Sequence, residues 1–129
     1  MKTQTSFAPM LAIDNGVTSI GFYKEAFDAI ENFCLRNDDG SIHVAELVID
    51  GAMFHIHEVT QFSGTITPAN AGGRTVSVGL FVDDVHAVFN KAIAAGGIEV
   101  VPVTDFEYNY RQGELIDPFG HRWIIEKKL

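Results

Sequence analysis

Two of the five histidines, His55 and His57, stand two residues apart in Ala52-Met53-Phe54-His55-Ile56-His57-Glu58. Apolar and polar residues alternate here, as they do along a half-buried strand. Successive strand side chains point to opposite faces, so Phe54 and Ile56 share one face and His55 and His57 the other. With the apolar pair turned toward helices, both imidazoles face a cavity. Three readings follow. The pair is part of a ligand set for a divalent ion, with Glu58 or His43 as a third donor; or it is a polar anchor for a ligand or a carboxylate; or it is packing.

A second group is Tyr108-Asn109-Tyr110-Arg111. Arg111 is a permanent cation with a planar fork, suited to a carboxylate or phosphate, and the tyrosines supply aromatic walls. The alternative partner for Arg111 is one of the 17 acidic side chains, in a salt bridge worth little at a surface. Glu46 and Glu114 lie within apolar strands. Each is either a carboxyl with a raised pKa, fit for general-base work, or a group on a solvated sheet face. His121 follows Asp117 closely and could pair with it, although a histidine also serves such turns as a structural hydrogen-bonder. Cys34 reads as a small buried hydrophobe, because nothing basic is fixed beside it. Nowhere is there a phosphate-cradling glycine loop, a dinucleotide fingerprint or a methyl-donor fingerprint.

The elements that hold these residues repeat. Leu11-Ala12-Ile13-Asp14 matches Leu80-Phe81-Val82-Asp83 at an offset of 69. Phe22-Tyr23-Lys24 matches Phe89-Asn90-Lys91 at 67, and Glu46-Leu47-Val48 matches Glu114-Leu115-Ile116 at 68. The chain therefore divides into a module over about 7–58, a linker over 59–74 rich in Gly, Ser, Thr, Pro and Asn, and a module over about 75–127. Strands are expected at 7–13 and 75–82, each followed by a helix. In the second helix Val85, Val88, Phe89, Ala92 and Ile93 form an apolar stripe, capped by Asp84 and stopped by Gly96-Gly97. Three strands complete each module, at 30–37, 42–49 and 52–58, then at 99–103, 110–116 and 121–127. The unit is βαβββ, twice, an α+β architecture.

Composition sets the limits. One domain fits 129 residues, and 9 basic against 17 acidic residues give a net charge of −8. That balance argues against nucleic acid and anionic membrane surfaces, which need clustered Lys and Arg. No stretch of about 18 apolar residues offers a membrane span. The opening Met1-Lys2-Thr3-Gln4-Thr5-Ser6-Phe7 has no apolar core of a secretory signal, and a single cysteine excludes an internal disulfide. A cytoplasmic location is expected.

Four phrases carry a resemblance: Ile20-Gly21-Phe22-Tyr23-Lys24-Glu25-Ala26-Phe27, Val44-Ala45-Glu46-Leu47, Val82-Asp83-Asp84-Val85, and Asp117-Pro118-Phe119-Gly120-His121-Arg122-Trp123. With paired βαβββ modules they make the chain similar to the vicinal-oxygen-chelate superfamily of glyoxalases, bleomycin-resistance proteins and extradiol dioxygenases, and in detail to its PhnB-like branch. The resemblance implies cupped mixed sheets with the helices outside and a ligand cavity inside, and a homodimer. It does not fix a reaction, because the fold hosts unrelated chemistries. It implies a small-molecule ligand, with His55, His57, Tyr108, Tyr110 and Arg111 as binding residues. The alternative is a lyase, isomerase or dioxygenase with a displaced metal at His55 and His57, or with metal-free acid–base chemistry.

Alignment through these phrases puts the superfamily's metal-ligand positions at Ala8, His55, Ser77 and Ile124. An alanine methyl and an isoleucine cannot ligate, and a neutral serine hydroxyl is a poor ligand, so no metal and no cofactor are expected there. Elemental analysis after dialysis checks this: no stoichiometric zinc, nickel, manganese or iron should remain. About one ion per subunit, lost on His55→Ala, would overturn it.

Overall fold

The structure is a computed structural model that describes residues 3–129. Its elements run β1 (Met10–Ile13), α1 (Gly21–Phe27), β2 (Ile30–Arg36), β3 (Ile42–Ile49), β4 (Ala52–Glu58), α2 (Pro68–Ala71), β5 (Ser77–Phe81), α3 (Val85–Ala94), β6 (Ile98–Phe106), β7 (Tyr110–Ile116) and β8 (Arg122–Lys128). Two four-stranded mixed sheets result, ordered β1-β4-β3-β2 and β5-β8-β7-β6. In each, the first strand of the module pairs in parallel with the last and the others pair antiparallel. The expected α+β fold of two βαβββ modules is the fold observed.

Local chemistry explains where elements depart from expectation. β1 is shorter than 7–13 because Pro9 has no N–H for a ladder, although its carbonyl still accepts from the His55 N–H at 2.9 Å. β6 is longer than 99–103: this edge strand carries Pro102 within a register irregularity between Val101 and Thr104, where a proline costs no ladder bond. The linker contains the short helix α2, begun by Pro68 at its first position.

The core lies on one face of each sheet. Leu11, Ile13, Ala45, Leu47, Phe54 and Ile56 are buried in the first sheet, and Leu115, Trp123 and Ile125 in the second. Onto them pack Phe22, Tyr23, Ala26 and Phe27 of α1 and Val85, Phe89 and Ala92 of α3, with the two helices in mutual contact. The Asp84 carboxylate caps α3 by accepting the Ala87 N–H at 3.0 Å. Gly113 is required on β7, since a Cβ there would stand 2.7 Å from the Phe89 ring.

One buried carboxylate joins the modules. Asp117, 2% exposed, accepts the Tyr23 hydroxyl at 2.5 Å and the Trp123 indole N–H at 3.0 Å on one oxygen. Its other oxygen accepts the N–H groups of Phe119 and His121 at 2.9 and 3.0 Å. Burial, with Asp117 beside it, pushes the Tyr23 phenol well above its ordinary pKa. The His121 ring donates from Nε2 to the Ala12 carbonyl at 2.7 Å, tying the last turn to β1. His121 and Asp117 are thus joined through the His121 backbone rather than through a side-chain pair.

A second carboxylate closes the end of the first sheet. Glu58 accepts from Asn15 Nδ2 at 2.9 Å, Asn37 Nδ2 at 3.0 Å and His43 Nδ1 at 2.9 Å. Asn15 first, then His43 and Asn37, hold its carboxyl below the usual glutamate range.

Two predictions follow from these carboxylates. Tyr23→Phe removes a buried bond to a charged acceptor and should cost about 1.5–3 kcal/mol by urea denaturation. Glu58 has a lower pKa folded than unfolded, so its contribution is complete above about pH 4.3, the ordinary glutamate value. It is lost as pH falls through the lowered folded value. Wild type and Glu58→Gln should therefore differ in urea midpoint near neutrality and converge in acid.

Candidate functional site

The faces turned away from the helices carry the polar groups. On the first sheet Glu46 is the cross-strand partner of His55, and Val44 that of His57. Phe54 and Ile56 are buried on the helix side, at 3% and 0% exposure, so the pleat puts both histidines on the opposite face with Glu46. His55 Nε2 lies 3.1 Å from Glu46 Oε1, and Asn32 Nδ2 donates to Glu46 Oε2 at 2.9 Å. Asn32 sits at the register shift between Glu31 and Phe33 of β2.

Asn32 first, then His55, hold the Glu46 carboxyl below its ordinary range. Of the two readings of Glu46, this decides against the raised value: two donors outweigh desolvation where the group is only half-buried. A carboxylate can only accept, so His55 presents Nε2–H to it. The result is an imidazole oriented by a carboxylate, itself fixed by an amide, a geometry suited to hydrogen-bonding or proton transfer. His57 engages a different group: its Nδ1 lies 2.6 Å from the Glu58 carbonyl.

On the second sheet the central group is Glu126. Only 7% exposed, it is the cross-strand partner of Gln112 and Phe81. Gln112 Nε2 donates to Glu126 Oε1 at 2.8 Å, and the Tyr108 hydroxyl donates to Gln112 Oε1 at 2.5 Å. The space for this carboxylate comes from Gly79, where a Cβ would stand 2.5 Å from Glu126 Oε2. Tyr108 stacks on Phe106 with centroids 5.2 Å apart, and Tyr110 meets Phe81 edge-on at 6.3 Å.

Of the residues singled out in the sequence, the fold therefore groups His55 with His57 and Tyr108 with Tyr110. It separates Arg111 from the tyrosines. Arg111 pairs across strands with Asp105, and its Nε and Nη2 donate to that carboxylate at 2.6 and 3.0 Å. It lies on the alternate face from Tyr110 and Gln112, with its fork already filled. Asp105 raises the Arg111 pKa, and Arg111 lowers that of Asp105. Glu114, the repeat partner of Glu46, is bound by the guanidinium of Arg122. Cys34 is cross-strand to buried Ala45, and burial raises its thiol pKa, as befits an inert side chain. Sequence reading missed Asn32, Gln112 and Glu126. The repeat held a signal for the last, since an offset of 69 carries His57 onto Glu126.

A cleft of about 590 Å³ follows the seam between β4 and β5, lined by Phe7, Pro9, Val48, Met53, Val78 and Trp123 among others. Two of its lining residues reach the polar groups: Asn32, which holds Glu46, and Gly79, against which Glu126 rests. A larger space of about 840 Å³ beside β5 is edged by Asp50, Asp83, Lys127 and Lys128; it shares Gly79 with the seam cleft but is not lined by Asn32.

The residues that the sequence resemblance sets at the superfamily's ligand positions do not fit a metal ion. Ala8 and Ile124 have no donor atom and Ser77 has only a neutral hydroxyl, so His55 would be a single imidazole, short of the three or four ligands of a zinc site. Among the described residues, no three or more His, Cys, Asp or Glu side chains come together as a metal-binding group.

Comparison with known proteins matches this architecture. The family model described as glyoxalase/bleomycin resistance protein/dioxygenase superfamily matches residues 8–125. An uncharacterised protein of Mycobacterium bovis is 35% identical over 128 residues, covering 97% of this chain and 84% of its own length. Among solved structures, a gene product of Arabidopsis thaliana is 30% identical with a TM-score of 0.73, over 97% of this chain and all of its own. TioX from Micromonospora sp. ML1 is 24% identical with a TM-score of 0.70, over 96% of this chain and 100% of its own. The fosfomycin resistance protein FosX from Mesorhizobium loti, at 12% identity and TM-score 0.66 over 99% and 95%, shares the fold. The chain belongs to the glyoxalase/bleomycin resistance protein/dioxygenase superfamily.

Proposed function

We propose that this protein binds a small organic molecule in the seam cleft, without a metal at the superfamily position. The observation that carries the reading is that one mainly apolar cleft touches both Asn32 and Gly79, the supports of the Glu46 and Glu126 carboxylates. About 590 Å³ suits a ligand of ordinary metabolite or drug size. Glu46 Oε1 and Oε2 are taken by His55 and Asn32, whereas among the described residues only Oε1 of Glu126 is held, by Gln112. The ligand is therefore one with an apolar body and an amine or other donor that reaches Glu126. Phe81, Tyr108 and Tyr110 supply aromatic surface beside it.

A second reading is an enzyme of the same superfamily. The observation in its favour is the Asn32–Glu46–His55 relay, in which an oriented imidazole could move a proton without metal. We also infer a cytoplasmic homodimer of the PhnB-like branch. The dimer is supported by Met10, Leu35 and Phe81, which lie on the open sheet faces at 65%, 55% and 56% exposure; the branch is supported by the four sequence phrases.

A thermal-shift screen tests binding, since a ligand that binds only the folded state at 100 times its Kd stabilises by about 2.7 kcal/mol. Apolar amines should raise the melting temperature of the wild type and leave Glu126→Gln unmoved. Equal shifts in both proteins, or hits confined to anions, would overturn this assignment. If a hit is turned over and His55→Ala keeps binding but loses turnover, the enzyme reading replaces the binding one. Light scattering showing only the 14.1 kDa chain would reject the dimer.

A further inference from the structure

The first module carries a pair of imidazoles that neither the cleft nor the superfamily's ligand positions use. His43 and His57 come from neighbouring strands, β3 and β4, with ring centroids 5.1 Å apart and planes inclined at 62°. Each ring has its Nδ1 occupied by a different oxygen of the same residue: His43 by the Glu58 carboxylate at 2.9 Å, His57 by the Glu58 carbonyl at 2.6 Å.

Those oxygens fix the chemistry of both rings. A carbonyl only accepts, and so does a carboxylate, and the Glu58 side chain meets donors from Asn15, Asn37 and His43. In each neutral imidazole, therefore, Nδ1 bears the proton and Nε2 bears the free lone pair. This is the arrangement by which metal-binding histidines are oriented, with the non-ligating nitrogen donating to a carboxylate or a backbone carbonyl. His55 is built the other way, since its Nε2 is the nitrogen engaged by Glu46.

The spacing fits as well. With Zn–N bonds of about 2.0–2.1 Å and a tetrahedral angle, two imidazoles on one ion have centroids roughly 5 Å apart. The His43 side chain is 42% exposed, so an ion can reach the pair from solvent.

From this geometry we propose that His43 and His57 form a two-histidine site for a borderline divalent ion, Zn²⁺, Ni²⁺ or Cu²⁺, with both Nε2 atoms as ligands. Glu58 orients both rings and does not itself ligate. Water completes the coordination shell. Two protein ligands make the ion exchangeable, so it is lost on dialysis and differs from a resident catalytic metal.

The test uses the untagged full-length chain titrated with Cu²⁺ and with Zn²⁺. Isothermal titration should give one ion per chain, and the Cu²⁺ paramagnetic resonance spectrum should show coupling to two imidazole nitrogens. His43→Gln and His57→Gln are the informative variants: an amide keeps a donor near the Glu58 oxygens but supplies no imidazole nitrogen. Each should weaken binding at least tenfold and remove two-nitrogen coupling, while His55→Ala keeps both. Melting temperatures in a chelator establish that the variants are folded; should His43→Gln fail to fold, His57→Gln alone decides. Binding that survives in His57→Gln, loss of binding in His55→Ala, or no uptake by the wild type overturns the proposal.

Discussion

The carboxylate of Asp117 is the constraint on which the two-module arrangement depends. It gathers four donors, two from its own turn and one each from Tyr23 of α1 and Trp123 of β8. A buried charge is tolerable only when its lone pairs are satisfied, so these groups have one mutual position that leaves none unpaired. Around it the aromatic rings fill in: Tyr23 against Phe54 and Trp123, and Phe27 against Trp123. Helix α1 of the first module is thereby docked on the last strand of the second. His121 repeats the tie on the other side by bonding the Ala12 carbonyl.

With one sheet face committed to the helices, the pleat delivers the alternate residues to the other. Three glutamates show how little their position in an apolar strand says about their state. Glu58 lies at the strand end among three donors and closes a loop. Glu46, two donors strong, fixes an imidazole. Glu126 has one donor and a space cleared by Gly79. The donors around each carboxylate, and not burial alone, set what it can do.

The positions that the sequence resemblance equates with the superfamily's metal ligands hold Ala8, His55, Ser77 and Ile124 in this chain, on the family's framework. Fold and chemistry separate in this way because the framework depends on the helix-facing residues and the chemistry on the opposite face. Ala8, Ser77 and Ile124 supply none of the four donors to the Asp117 side chain, so that junction does not depend on them.

Much of this was legible in the sequence by itself. Period-two alternation and the repeat fixed β3, β4 and β7 to the residue and placed His55 and His57 opposite Phe54 and Ile56, because side-chain direction along a strand is a local property. The turn phrase around Asp117 and the cap at Asp84 were equally local. Partners were not. That Arg111 is spent on Asp105, that Glu46 has a lowered rather than a raised pKa, and that Glu126 rests against Gly79 all depend on which strands lie side by side and in what register. That His43, on the neighbouring strand and 14 positions away in the chain, brings its ring within 5.1 Å of His57 was decided there too. Cross-strand neighbours are set by burying the helix-facing residues of distant segments together, and only the tertiary structure decides that.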